Sequence, residues 1–272
     1  VCIKFFGPSM AGMGETECDK SGACRTWRTS ARRRGAVAMG VVVVVLVVVA
    51  LVMWQSRQEK ALGTRLADPP CPDRPQVVRV PNALPLAVHA KIAAALGAAR
   101  AAGQFHRSVG PTRSGAALAL GSASVAQPSL GCVVRAFRDA ALTARVQAAC
   151  DSQLQLVPRT DVNELSALLY CEPGDGIDEH LDGNVYLGSR WAAIYSVEDD
   201  GDAKLEVAGV PVHMVANEMV LFRADLLRHR VRRRRGRGTR LVVNALYCDV
   251  CAPRAGPLAR LWSWAVALTF YG

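Results

Sequence analysis

The arrangement of apolar positions changes character near residue 161. Before it, the spacing is helical. In "LPLAVHAKIAAALGAARAA", residues 84–102, Val88, Ile92 and Leu96 recur every four positions and predict an amphipathic helix. Pro85 suits its first turn and Gly103 its stop. Residues 104–131 are rich in Gly and Ser and predict a loop, with a strand at 116–120. Residues 132–156 predict a second helix with Val133, Phe137, Ala140 and Ala144 as its buried stripe and Pro158 beyond its end. After residue 161 short apolar runs alternate with turns: "LSALLYC", "RWAAIYSV", "AKLEVAGV", "EMVLFRA", "RHRVR" and "TRLVVNALY". Strands at this spacing predict a sandwich or barrel. The folded part therefore reads as α+β, helices first and then a β jelly roll.

Residues 35–54, "GAVAMGVVVVVLVVVALVMW", contain no charged side chain. At the helical rise they cover about 30 Å, the thickness of a bilayer core. No small-residue cleavage site is evident, so the segment predicts an uncleaved transmembrane anchor. Lys20, Arg25, Arg28, Arg32, Arg33 and Arg34 precede it, and Arg57, Lys60 and Arg65 follow closely. The positive-inside rule then puts a tail of residues 1–34 in the cytosol and the rest in the lumen of the endoplasmic reticulum or Golgi, a single-pass type II arrangement. "ADPPCPDRPQ" makes residues 55–78 a Pro-rich stem. The folded domain is expected over residues 79–252. Residues 253–272 form a C-terminal tail whose apolar part, "LWSWAVALTFYG" at 261–272, has only twelve residues and is too short to span a bilayer; packing on the domain is expected, with a second span cut short as the alternative.

Cys71, Cys132, Cys150, Cys171, Cys248 and Cys251 all follow the anchor. An even number in an oxidising lumen permits disulfides. The Cys248-x-x-Cys251 pair has no second CxxC and no helix start after it, so a structural bridge or two free thiols is expected rather than a zinc or redox site. The net charge of +10 is concentrated before residue 35 and in "RHRVRRRRGRGTR". Between two strand candidates that run predicts a solvated loop, and in a lumen no nucleic acid is expected as partner.

Candidate chemistry centres on "CEPGDGIDEHLDGNVYLGSRW", residues 171–191. An EF-hand loop begun at Asp178 would need a bidentate Glu where Ser189 stands, which excludes calcium. On a strand, His180 and Asp182 point to the same face. A third ligand, His229, follows the strand candidate at 218–223. Two imidazoles and one carboxylate form a facial triad that leaves positions open and favours non-haem Fe(II). Arg240 follows His229; were "RHRVR" and "TRLVVNALY" antiparallel neighbours, it would lie across a hairpin from His229. A buried guanidinium there needs a carboxylate, which a dicarboxylic cosubstrate supplies.

His180-x-Asp182, His229 and Arg240 on alternating strands resemble the Fe(II)/2-oxoglutarate dioxygenases, and most of all their prolyl 4-hydroxylase-like group. "YCEPGDGIDEHLD", "SRWAAIYSVEDDGDAKLEV", "ANEMVLFRADLLRHRV" and "GTRLVVNALY" carry the resemblance. It implies a double-stranded β-helix in which His180, Asp182 and His229 bind Fe(II). Arg240 and Tyr170 would hold the distal carboxylate of 2-oxoglutarate, with Tyr195 or Asn244 lining the pocket. O2 as cosubstrate, L-ascorbate as candidate reductant and a proline-containing secretory polypeptide as substrate follow from the same resemblance. Ile177 and Leu246 depart from it, standing where relatives carry aromatic residues. The alternative is a catalytically silent jelly-roll module that holds a partner at the membrane.

Overall fold

The computed structural model describes Ala50 and residues 77–253, apart from 111, 122–128, 160 and 162–163. Apart from Ala50 and Pro253, the expected anchor and apolar tail lie outside these residues, as does almost all of the stem. No helix among the described residues is long and apolar enough to cross a membrane.

The first helix, α1 (Leu86–Ala101), forms where the spacing predicts, and buries Ile92, Leu96 and Ala99. Gly103 follows it at φ +67°, a conformation that costs glycine nothing. The second predicted helix is two, α2 (Gly131–Phe137) and α3 (Ala140–Cys150). Asp139 breaks the run: its extended backbone ends one helix, and its carboxylate accepts from the Ala141 N–H at 2.7 Å to cap the next. The break resets the helical phase. Leu142, Val146 and Cys150 are buried in α3, whereas Ala140 and Ala144 face solvent.

Among the described residues, twelve strands form one antiparallel sheet that curls on itself. They are β1 (Val78–Val80), β2 (His106–Val109), β3 (Arg113–Ala119), β4 (Gln155–Leu156), β5 (Leu165–Tyr170) and β6 (Gly176–His180), then β7 (Arg190–Asp199), β8 (Leu205–Val207), β9 (Val210–Val212), β10 (Met219–Arg223), β11 (His229–Val231) and β12 (Arg240–Cys248). The spatial order is β1-β10-β7-β12-β5-β3-β6-β11-β8-β9, with β2 on β3 and β4 on β12. This is the expected jelly roll.

Strand alternation divides the core in two. Leu165, Ala167, Leu169, Ala193, Tyr195, Leu241, Val243 and Ala245 pack against the helices. Tyr170, Ala192, Ile194, Val220, Phe222, Val242 and Leu246 face inward, toward Leu205, Val207 and Val231 of the opposite strands. The inward cluster defines the interior where a site can be built.

Two expectations about connectivity are corrected. β11 and β12 are not neighbours: β11 lies between β6 and β8, and β12 between β5 and β7. The arginine run between them is also less free than a solvated loop. Arg230 and Arg232 both pair with Glu206, whose side chain is buried, and Arg233 pairs with Asp178 at 3.1 Å. Arg234 is buried and donates to the Cys171 carbonyl at 2.6 Å. These contacts seat the run against β6 and β8. Gly176 permits the close approach of β6, since a Cβ there would lie 2.7 Å from the Val231 carbonyl oxygen.

Cys248 and Cys251 form a disulfide, the structural bridge expected as one of two outcomes. Cys132 and Cys171 are free thiols.

Candidate metal centre

Two strands and one loop bring three candidate metal ligands together. In the β6–β11 ladder His180 lies directly opposite His229, and their ring centroids are 4.2 Å apart. Beyond β6 the chain turns inward, fixed by a bond from the Asp182 N–H to the Ala224 carbonyl at 2.9 Å. Asp182 Oδ1 then lies 3.5 Å from His180 Nε2 and 3.7 Å from His229 Nε2. Donor atoms of all three residues lie within 4.8 Å of one another.

Backbone carbonyls set the tautomers. His180 Nδ1 is 2.8 Å from the Asp178 carbonyl and His229 Nδ1 is 3.0 Å from that of Leu227. A neutral ring donating through Nδ1 leaves the Nε2 lone pair free, and both Nε2 atoms face Asp182. The Phe222 ring packs edge-on against His229, with centroids 4.9 Å apart. The donor set and its outer supports fit a divalent transition metal of the Fe(II) type.

Electrostatics favour the same arrangement. Burial pushes the Asp182 carboxyl up, but the His180 hydrogen bond and the Arg190 and His229 charges outweigh it and hold the group below its ordinary range. For His180, burial pulls the imidazole down, and hydrogen bonds to Asp182 and the Asp178 carbonyl leave it above its ordinary 6.5. His229 is lowered, by burial first. The first ligand to protonate is therefore His180. Metal affinity should be constant at alkaline pH and decline once pH falls into the range where His180 protonates, which begins above 6.5. Calorimetric Fe(II) titrations across pH check this; an affinity unchanged through that range would contradict it.

Arg190 was not singled out from the sequence. It is buried, its Nη2 is 3.9 Å from Asp182 Oδ2, and it also contacts the Gly183 carbonyl. The signal was present, since residues 190, 192 and 194 share the inward face of β7. Its guanidinium steadies the oxygen that faces away from the histidines.

The other predicted residues divide. Arg240 is inward and buried at 1% exposure, opposite Tyr170 in the β12–β5 ladder. Tyr170 is buried too, and its ring would stand 3.4 Å from any Cβ placed on Gly115. Burial raises its hydroxyl pKa, against the opposing Arg113 and Arg240 charges. Asn244 lies on the inward side of β12 with Val242 and Leu246, and its buried Oδ1 has no hydrogen-bond partner among the described residues.

Tyr195 is a correction. It sits on the helix side of β7, 5.5 Å from the Phe137 ring centroid to centroid, and its hydroxyl contacts His89 Nδ1 at 2.7 Å and Asn217 Oδ1 at 3.0 Å. Alternation gives the interior to Ala192 and Ile194, so residue 195 faces the other way.

No family model and no curated protein matches the sequence. Solved structures do match. The α-ketoglutarate-dependent non-haem epimerase SnoN of nogalamycin biosynthesis is similar at TM-score 0.53 and 14% identity, over 75% of this chain and 95% of that one. The fold is that of the Fe(II)/2-oxoglutarate oxygenases. A Burkholderia pseudomallei oxidoreductase of the 2OG-Fe(II) oxygenase family matches at TM-score 0.51 and 14% identity, over 66% of this chain and 89% of that one. A prolyl hydroxylase from Trichoplax adhaerens, in complex with a hypoxia inducible factor peptide fragment, matches at TM-score 0.50 and 15% identity, over 72% and 93%. The oxygenase fold and the His180, Asp182, His229 cluster thus coincide in one chain.

Proposed function

We propose that this chain is an Fe(II)- and 2-oxoglutarate-dependent dioxygenase that hydroxylates proline in secretory polypeptides while anchored to the membrane by residues 35–54. The observation that carries the reading is the cluster of His180, Asp182 and His229 within 4.8 Å, inside a fold shared with such oxygenases.

When bound, Fe(II) with 2-oxoglutarate and O2 supplies an oxidant able to convert a C–H bond to C–OH, with succinate and CO2 as co-products. The chain's own residues prepare the site. His180 and His229 present neutral Nε2 atoms, each oriented by a backbone carbonyl. Asp182 brings the negative charge, braced by Arg190. Arg240 and Tyr170, opposite each other on neighbouring strands, would take the distal carboxylate of 2-oxoglutarate. Arg240 Nε is buried and has no hydrogen-bond partner among the described residues, so the pocket offers a donor that a carboxylate satisfies. Val220, Phe222 and Leu246 keep the interior dry, which strengthens each polar contact. L-Ascorbate would serve to return iron to its ferrous state.

The peptide held by the Trichoplax hydroxylase supports a polypeptide substrate. The Cys248–Cys251 disulfide suits an oxidising compartment, and the cationic flank of residues 35–54 supports a luminal domain. Incubation with Fe(II), 2-oxoglutarate, ascorbate and proline-containing peptides tests the reading by mass spectrometry. The expected product is a peptide one oxygen atom heavier, formed with one succinate. Succinate without peptide oxygenation would contradict the substrate; neither iron retention nor succinate would favour a silent module.

A further inference from the structure

The buried arginine assigned to the cosubstrate already has a carboxylate beside it. Arg240 Nη1 lies 3.1 Å from Asp199 Oδ2, and both side chains are 1% exposed. The pairing follows from the β12–β7 ladder, where Arg240 stands opposite Asp199 just beyond a register shift between Leu241 and Val242. Lys204, from the loop before β8, approaches the same carboxylate, with Nζ 3.3 Å from Asp199 Oδ1. Two cations thus share one anion, which leaves the group with one surplus positive charge.

The guanidinium is only half satisfied. Asp199 takes Nη1. Nε and Nη2 form the opposite edge of the plane. Nε has no hydrogen-bond partner among the described residues, and Nη2 meets only the Met214 thioether at 3.7 Å, a weak acceptor. That edge is where a carboxylate binds bidentately.

We propose that Asp199 and Lys204 set the strength and selectivity of cosubstrate binding, a role that rests on the oxygenase reading above. Asp199 holds Arg240 in place and neutralises part of its charge before any ligand arrives. Lys204 restores one surplus positive charge, and that surplus recruits a 2-oxo acid with a carboxylate at its far end. Asp199 therefore weakens binding by repelling the incoming anion, while Lys204 strengthens it. A 2-oxo acid without the distal carboxylate is indifferent to both.

The test uses the full chain loaded with Mn(II) to prevent turnover, titrated calorimetrically with 2-oxoglutarate and with 2-oxopentanoate. Asp199→Asn should bind 2-oxoglutarate at least about tenfold more tightly than wild type, because a like charge a few ångströms away is removed. It should also melt lower without ligand and show a larger upward melting shift when 2-oxoglutarate is added. Lys204→Met should bind it at least about fivefold more weakly. Affinity for 2-oxopentanoate should stay within about twofold of wild type in both variants.

Unchanged or weaker 2-oxoglutarate binding by Asp199→Asn, or equal tightening toward 2-oxopentanoate, overturns the proposal. If Asp199→Asn does not fold, Lys204→Met decides, and an unchanged affinity there overturns it. Wild-type protein that takes up the metal but binds no 2-oxoglutarate overturns the oxygenase reading itself, and this inference with it.

Discussion

His180→Ala should lose iron and bring 2-oxoglutarate turnover below about one hundredth of wild type. Removing a partner that merely orients a ligand typically costs about 10–100-fold in metal affinity or activity, so removing a ligand should cost more. Here one imidazole of two is lost, and Asp182 with His229 alone makes an incomplete set. The fold should tolerate the change. The His180 side chain is 31% exposed, and its ring contacts are with other ligands rather than the apolar core. A stability change within about 1 kcal/mol is expected. Iron content, succinate release and a urea unfolding curve measured on the same preparation separate the two effects. A variant that keeps its succinate release would contradict the ligand assignment.

Arg240→Met should be costly in a different way. It leaves Asp199, 1% exposed, facing Lys204 without its guanidinium partner. Breaking a buried ion pair from one side typically costs about 3–5 kcal/mol, because the surviving charge stays desolvated. The partial relief from Lys204 puts the expectation near the lower end, about 3 kcal/mol by chemical denaturation. The double variant Arg240→Met/Asp199→Leu should recover most of that loss, since an apolar pair replaces the ionic one. It should not recover 2-oxoglutarate binding. Recovery of both would mean that Arg240 serves the fold alone.

The His180, Asp182 and His229 cluster was legible because it obeys simple strand rules. His180 and Asp182 are two apart, and His229 follows a long apolar run, so a jelly roll carries all three to one interior. Tyr195 was misplaced because no alternation phase had been fixed for β7. Once Ala192 and Ile194 are known to face inward, residue 195 must face the helices. The single helix predicted over 132–156 failed for a local reason: the Asp139 cap interrupts a run whose composition is otherwise helical. Asp199 and Lys204 could not be read in advance. Their partnership with Arg240 depends on which strand neighbours β12, and strand order is set by the whole sheet rather than by local sequence. The arginine run misled for the same reason, since Glu206 and Asp178 reach it from β8 and β6.

The central claim is that His180, Asp182 and His229 hold Fe(II) while Arg240 holds 2-oxoglutarate beside it. Anaerobic titration of the full chain with Fe(II) and then 2-oxoglutarate, followed by visible absorption, tests it most directly. The account predicts a metal-to-ligand charge-transfer band that saturates at one 2-oxoglutarate per iron and is absent in His180→Ala. Iron that binds without producing such a band, or a band that survives the loss of His180, would contradict it.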